Sequence, residues 1–130
     1  MKITIKLIRL GDSRAVIIPA VWLKENTAES SKIGAISAGI YGYTTGRTID
    51  LAGVVNEEAY RAMREKRIFA YLKEKQIDYL VDREDMIQFY SRQFDERGFL
   101  QNLVAVKRFG ETESDVVVYR IIADRKEGKE

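Results

Sequence analysis

The segment of residues 32–56, KIGAISAGIYGYTTGRTIDLAGVVN, constrains the fold of this chain more than any other. It contains two short apolar runs, residues 33–36 and 49–51, and each run ends at a corner of small residues, Ser-Ala-Gly at 37–39 and Ala-Gly at 52–53. Glycine-rich corners after buried strands let the backbone turn tightly or approach a ligand closely. The segment therefore predicts buried strands with short exits, as in an α/β fold.

Strand and helix patterns alternate after this segment. Asn56 is expected to cap a helix, because Glu57 and Glu58 follow it in the first turn, where the helix dipole favours anions. The apolar stripe of this helix shifts near Lys66, which predicts a break there. The further elements are a strand at 77–81, a helix at 85–97, and strands at 103–109 and 115–122 that form a closing hairpin.

Alternation of strands and helices implies crossover connections and parallel pairing. We therefore predict an α/β fold, with a mainly parallel mixed sheet flanked by helices, an N-terminal β-hairpin and a C-terminal antiparallel hairpin. The predicted parts are a hairpin at 1–20, an α/β domain at 21–122 and a charged tail at 123–130. A length of 130 residues with 45% hydrophobic content suits one compact domain.

The N-terminal hairpin is predicted from alternation and a turn signal. Residues 2–7 alternate between polar and apolar side chains, residues 11–13 (Gly-Asp-Ser) form a turn, and the apolar residues 15–19 form a second strand that ends at Pro19. The first 24 residues carry five basic residues and one acidic residue, a net charge of +4. Such a segment suits nucleic acid or an anionic membrane surface. A solvated strand edge protected by lysines is an equally good interpretation.

The composition excludes several kinds of chemistry. The chain has no cysteine and no histidine, which excludes a disulfide scaffold, thiol catalysis, a Cys/His zinc site and an imidazole general base. No apolar run approaches the roughly 20 residues of a membrane span. We expect no catalytic residue, metal or cofactor, and a small carboxylate-dependent enzyme is the weakest interpretation.

Polar residues at the strand ends are the candidate ligand contacts, because ligands of parallel α/β sheets bind at the carboxyl ends of strands. The candidates are Ser37, Tyr41, Tyr43, Asn56 and Asp82. The alternative is that the glycines only make tight strand exits and the tyrosines pack on the sheet. The glycine spacing does not match a dinucleotide-binding fingerprint.

Arg47 and Asp50 complete the candidate set. Both lie in or beside an apolar strand. A buried Asp–Arg pair would be structural, because buried charges need partners. An exposed pair could hold sugar hydroxyls.

Four sequence pieces occur in a recognisable order: WLKEN, the 32–56 segment, IFAYLKEKQIDYLVD and VVVYRI. In this order, residues from about 21 to 122 resemble the soluble C-terminal domain of large membrane glycosyltransferases of the dolichyl-phosphate-mannose type. The resemblance implies a non-catalytic recognition or structural domain, with a glycan or a lipid-linked sugar as its partner. The catalytic acids of those transferases lie in the membrane region. The chain would be extracytoplasmic as part of such an enzyme and cytoplasmic if expressed alone.

The first 24 residues carry a different signature, KLIRLGDSRAVIIPAVWLKE. This stretch is similar to the swapped-hairpin DNA-binding family of AbrB-type regulators and antitoxins, in which two chains interleave. The resemblance implies an intertwined homodimer in which Lys6, Arg9 and Arg14 contact DNA. A DNA-binding transcriptional regulator is therefore the alternative function.

Overall fold

A computed structural model describes residues 14–36, 46–51 and 56–122. The sheet and its covering helices account for most of them. The helices are α1 (Arg14–Asn26), α2 (Glu57–Arg64), α3 (Ile68–Glu74) and α4 (Glu84–Gln93), and a single 3-10 turn spans Leu100–Asn102. The strands are β1 (Ile33–Ala35), β2 (Thr48–Asp50), β3 (Tyr79–Arg83), β4 (Leu103–Arg108) and β5 (Val116–Ile121).

The five strands form one mixed sheet in the order β2-β1-β3-β5-β4. β1 pairs in parallel with both β2 and β3, whereas β5 pairs antiparallel with both β3 and β4. This arrangement confirms the predicted α/β class, with a parallel half and a closing antiparallel hairpin.

Each face of the sheet carries its own apolar core, because alternate strand residues point to opposite faces. On one face α1 packs Ala20 and Leu23 against Ile33 and Val118. On the other face α2, α3 and α4 enclose a larger core that includes Leu80. The structure therefore has three layers, with the sheet in the middle.

β1, the middle strand of the parallel half of the sheet, is packed tightly against its neighbours. A Cβ atom on Gly34 would lie 3.0 Å from Leu51 Cδ1 and 3.2 Å from Leu80 Cδ2. Glycine thus lets two leucines of the larger core pack directly over β1.

The predicted break near Lys66 is confirmed, and it is one of two helix ends of the same kind. Lys66 ends α2 with φ 58° and Gln76 ends α3 with φ 57°. At each end the next residue donates its N–H back into the helix, Arg67 to the Ala62 carbonyl and Ile77 to the Leu72 carbonyl. This is the Schellman arrangement, in which the left-handed position favours glycine.

The predicted second strand of the N-terminal hairpin is wrong. Residues 15–18 belong to α1, which starts at Arg14 and contains Pro19. A short apolar run fits a strand or a buried helix equally well, and here it belongs to a helix that covers one face of the sheet. The first strand, the 11–13 turn and the 123–130 tail lie outside the described residues.

The left-handed helix ends generate the first prediction. Gln76→Gly should stabilise the protein by about 0.5–1 kcal/mol, because glycine removes the steric cost of φ 57°. Urea unfolding would measure the change. In the matched control, Glu74→Gly in the regular last turn of α3, the free energy of unfolding should fall by about 1 kcal/mol. A loss of stability in Gln76→Gly would contradict the assignment.

Candidate functional site

The carboxyl ends of β1, β2 and β3 lie at one edge of the sheet, because the three strands are parallel. From β1 the chain continues to β2 on one side, while β3 lies on the other side of β1. A crevice forms where connections leave in opposite directions, and ligands of open α/β sheets bind there. The topology therefore places the candidate site between the ends of β1 and β3.

A small cavity lies at this place in the structure. Its volume is about 10 Å³, and its walls include Gly34 of β1, Ile36 after β1, Asp82 of β3 and Tyr90 of α4. This is roughly the space that one water molecule needs. A ligand larger than water would have to bind at the mouth of the crevice.

Asp82 is the charged group of the crevice. Its side chain is only 5% exposed, and its Oδ1 accepts the Arg83 N–H at 2.9 Å. In register with Val117, it lies on the sheet face covered by α2, α3 and α4. A buried carboxylate has a strong demand for hydrogen-bond donors.

Tyr90 provides a hydroxyl beside Asp82. Its Oη donates to the Leu51 carbonyl at 3.2 Å. Burial, followed by the negative charges of Asp50 and Asp82, raises the pKa of Tyr90 to about 12. The phenol therefore stays neutral at physiological pH and acts as a hydrogen-bond donor.

Asp50 reaches the same edge on the opposite face. It pairs in register with Ala35, which belongs to the core beneath α1. Side-chain alternation thus separates Asp50 from Asp82 across the thickness of the sheet. The two residues therefore leave the sheet from opposite faces, although the charges of both contribute to the raised pKa of Tyr90.

Asn56 has a structural role that accounts for its polar atoms. It is the N-cap of α2, as predicted, and its Oδ1 accepts the Ala59 N–H at 3.1 Å. Its Nδ2 donates to the Asp50 carbonyl at 2.8 Å and to Tyr71 Oη at 2.9 Å. The side chain ties β2, α2 and α3 together.

Arg47 lies at the amino end of β2, away from the crevice. Its guanidinium donates to Thr27 Oγ1 at 2.8 Å and to the carbonyls of Ser31 and Leu23 at 3.2 and 3.4 Å. A cation at the C-terminus of a helix is favoured by the helix dipole. Arg47 thus anchors the end of α1 to the sheet.

The remaining candidates are not placed by the structure. Ser37, Tyr41 and Tyr43 lie outside the described residues, as do Lys6 and Arg9. Arg14 is the first residue of α1, and its side chain also lies outside the described part.

Two functional groups escaped the sequence analysis, Tyr90 and Tyr71. Both lie in helical apolar patterns, where an aromatic side chain is normally a core residue. Only the folded structure shows that Tyr90 and Asp82 line the same cavity. In the described part of the chain, no group of three or more acidic side chains is arranged to hold a metal ion. No helix there is long and apolar enough to cross a membrane.

A family model described as a domain of unknown function (DUF8728) matches residues 10–121. No curated protein and no solved structure matches the chain.

The hydrogen bonds of Asn56 generate a stability prediction. Asn56→Ala should lower the free energy of unfolding by about 2 kcal/mol, because it removes the cap of α2 and leaves the Asp50 carbonyl unpaired. Asn56→Asp retains the capping oxygen but loses the amide donors, so about half of that loss is expected. Thermal or urea unfolding distinguishes the two. Equal losses in both variants would show that the cap itself contributes nothing.

The raised pKa of Tyr90 generates a pH prediction. In the unfolded chain its pKa is about 10, so above that pH the unfolded state loses the proton first. Stability should therefore fall as the pH rises from about 10 towards 12. Tyr90→Phe should make this fall in stability less steep. Part of the fall should remain, because burial also raises the pKa of Tyr119.

Urea unfolding as a function of pH measures the slope, with Tyr60→Phe as the control at a tyrosine that is 48% exposed. A slope that is equally steep in Tyr90→Phe and in the parent chain would show that Tyr90 titrates normally.

Proposed function

Because the chain belongs to the DUF8728 family, whose description names no activity, we propose its function from the carboxyl edge of the sheet. The domain recognises a small carbohydrate without transforming it, and it is related to the extramembrane domain of membrane glycosyltransferases. One observation carries this proposal: the crevice expected from strand order coincides with a small, mostly apolar cavity that has the buried Asp82 among its lining residues.

The chemistry of the crevice suits a sugar. A buried carboxylate accepts hydrogen bonds from neighbouring hydroxyls, and these charge-assisted bonds are stronger than neutral ones. The adjoining walls, formed in part by Ile36 and Ile87, are apolar and suit the C–H face of a pyranose. Since the cavity holds only about one water, the sugar would lie across its mouth with hydroxyls directed at Asp82.

The proposal includes no catalytic step by the two acids at this edge of the sheet. Glycoside chemistry generally uses two carboxyl groups that flank the same bond. Asp50 and Asp82 belong to opposite faces of the sheet by register, and the proposal assigns ligand binding to Asp82 alone.

The kinship proposal rests on the ordered motifs between residues 21 and 122, almost all of which fall inside the family match. A lipid-linked sugar presents the same hydroxyls as a free sugar, with an added phosphate and an apolar chain. Binding measurements with both kinds of compound would distinguish these sources.

The alternative, a DNA-binding regulator of the swapped-hairpin type, needs a strand across residues 15–18. These residues are helical in α1, so no structural observation favours this alternative, and DNA contacts by Lys6, Arg9 and Arg14 stay a prediction.

Calorimetric titration tests the carbohydrate proposal. A panel of neutral monosaccharides and a short-chain polyprenyl-phosphate sugar would be titrated into the full chain. At least one should bind, and Asp82→Asn should weaken that binding about tenfold or more, because a charge-assisted hydrogen bond becomes neutral. Asp78→Asn, at the amino edge of the sheet, is the matched control. Failure of the whole panel to bind, or equal affinity in Asp82→Asn, would refute the proposal.

A further inference from the structure

The outer side of α2 and α4 carries exposed aromatic rings. Tyr60 on α2 is 48% exposed and Phe89 on α4 is 41% exposed. Single exposed apolar side chains are ordinary on a protein surface, so these rings point to a partner only if they belong to a larger surface with its own chemistry.

The two rings belong to facing helical stripes. Tyr60, Met63 and Arg64 follow each other at the spacing of one helix face, and so do Met86, Phe89 and Tyr90. The two helices meet beneath the exposed rings, where the buried Tyr90 Oη lies 3.9 Å from Met63 Sδ.

The segments that leave these helices continue the same surface. The Glu96 N–H donates to the Lys66 carbonyl at 2.8 Å, and the Ile68 N–H donates to the Phe94 carbonyl at 3.1 Å. Residues 60–67 and 89–97 therefore form one continuous region, which we call the basic aromatic surface.

The charge of this region differs from that of its surroundings. It contains six Lys or Arg residues and three Asp or Glu residues, a net charge of +3. The described residues as a whole carry sixteen of each sign, so all others together carry −3. Positive charge is thus concentrated around the exposed aromatics.

Two of the three acidic side chains in the region already have partners within the protein. Glu65 pairs with Arg67 at 2.6 Å, and Asp95 Oδ1 accepts the Phe69 N–H at 2.9 Å. The exposed cations are Arg61, Arg64, Lys66, Arg92 and Arg97. Arg64 also lies over the Tyr60 ring, with 5.8 Å from Cζ to the ring centroid.

We infer that the basic aromatic surface binds an anionic lipid bilayer. Lys and Arg side chains approach anionic headgroups, and each contributes about fivefold to binding at low salt. Aromatic rings with a polar neighbour settle at the level of the headgroups. A bilayer needs no shaped groove, which suits two rings on convex helices. This inference does not depend on carbohydrate binding at the crevice.

Co-sedimentation of the full chain with vesicles tests the inference. Binding to vesicles that contain phosphatidylglycerol should exceed binding to pure phosphatidylcholine vesicles by tenfold or more, and it should weaken as salt is added. Arg64→Gln should reduce it about fivefold, and Phe89→Ser should reduce it further.

The controls lie on the edge strand β4. Val104→Ser removes an exposed apolar side chain, as Phe89→Ser does, and Lys107→Gln removes an exposed cation, as Arg64→Gln does. They should leave vesicle binding unchanged. Because the chain lacks cysteine, an environment-sensitive dye can also be placed on Phe89→Cys or Val104→Cys alone. Only the dye at position 89 should report a less polar environment with anionic vesicles.

Several results would overturn the inference. These are an absence of vesicle binding, equal binding to neutral and anionic vesicles, and equal losses in the β4 controls. If the chain does not bind vesicles but binds a soluble acidic peptide saturably, the surface would be assigned to a protein partner instead. Circular dichroism of each variant separates lost binding from lost folding.

Discussion

The close packing around Gly34 is the constraint on which the rest of the structure depends. β1 is paired on both sides and covered on both faces. A side chain added there could not move away from its neighbours. The lack of a side chain at position 34 lets Leu51 and Leu80 meet over it. Leu51 directly follows β2 and Leu80 belongs to β3, and both line the small cavity that Asp82 and Tyr90 also border. A strand of three residues thus organises both cores.

Much of this architecture follows from local sequence patterns. Asn56 followed by two glutamates predicts the start of α2, and the shifted apolar stripe at Lys66 predicts its end. The order of strands and helices also predicts a mixed sheet, because short connections leave few topologies. These features depend on neighbours along the chain, which are visible in the sequence.

The features that failed prediction depend on distant neighbours. Residues 15–18 are apolar enough for a strand, and only the presence of an uncovered sheet face favours a helix there. Asp50 and Asp82 look equivalent along the sequence, since each closes a strand. The register with Ala35 and Val117 places them on opposite faces. Arg47 and Asn56 looked like ligand contacts, yet their hydrogen bonds hold helices to the sheet.

The junction between β3 and α4 has a consequence for how the crevice could change in evolution. Arg83 is both the last residue of the strand and the N-cap of the helix, and no loop separates the two. An insertion at this point would disturb the antiparallel pairing with Val116 as well as the first turn of α4. Differences in length around the crevice are therefore expected at residues 37–45 and 52–55, which follow β1 and β2 in the chain. The wall built by β3 and α4 should keep its length throughout the family.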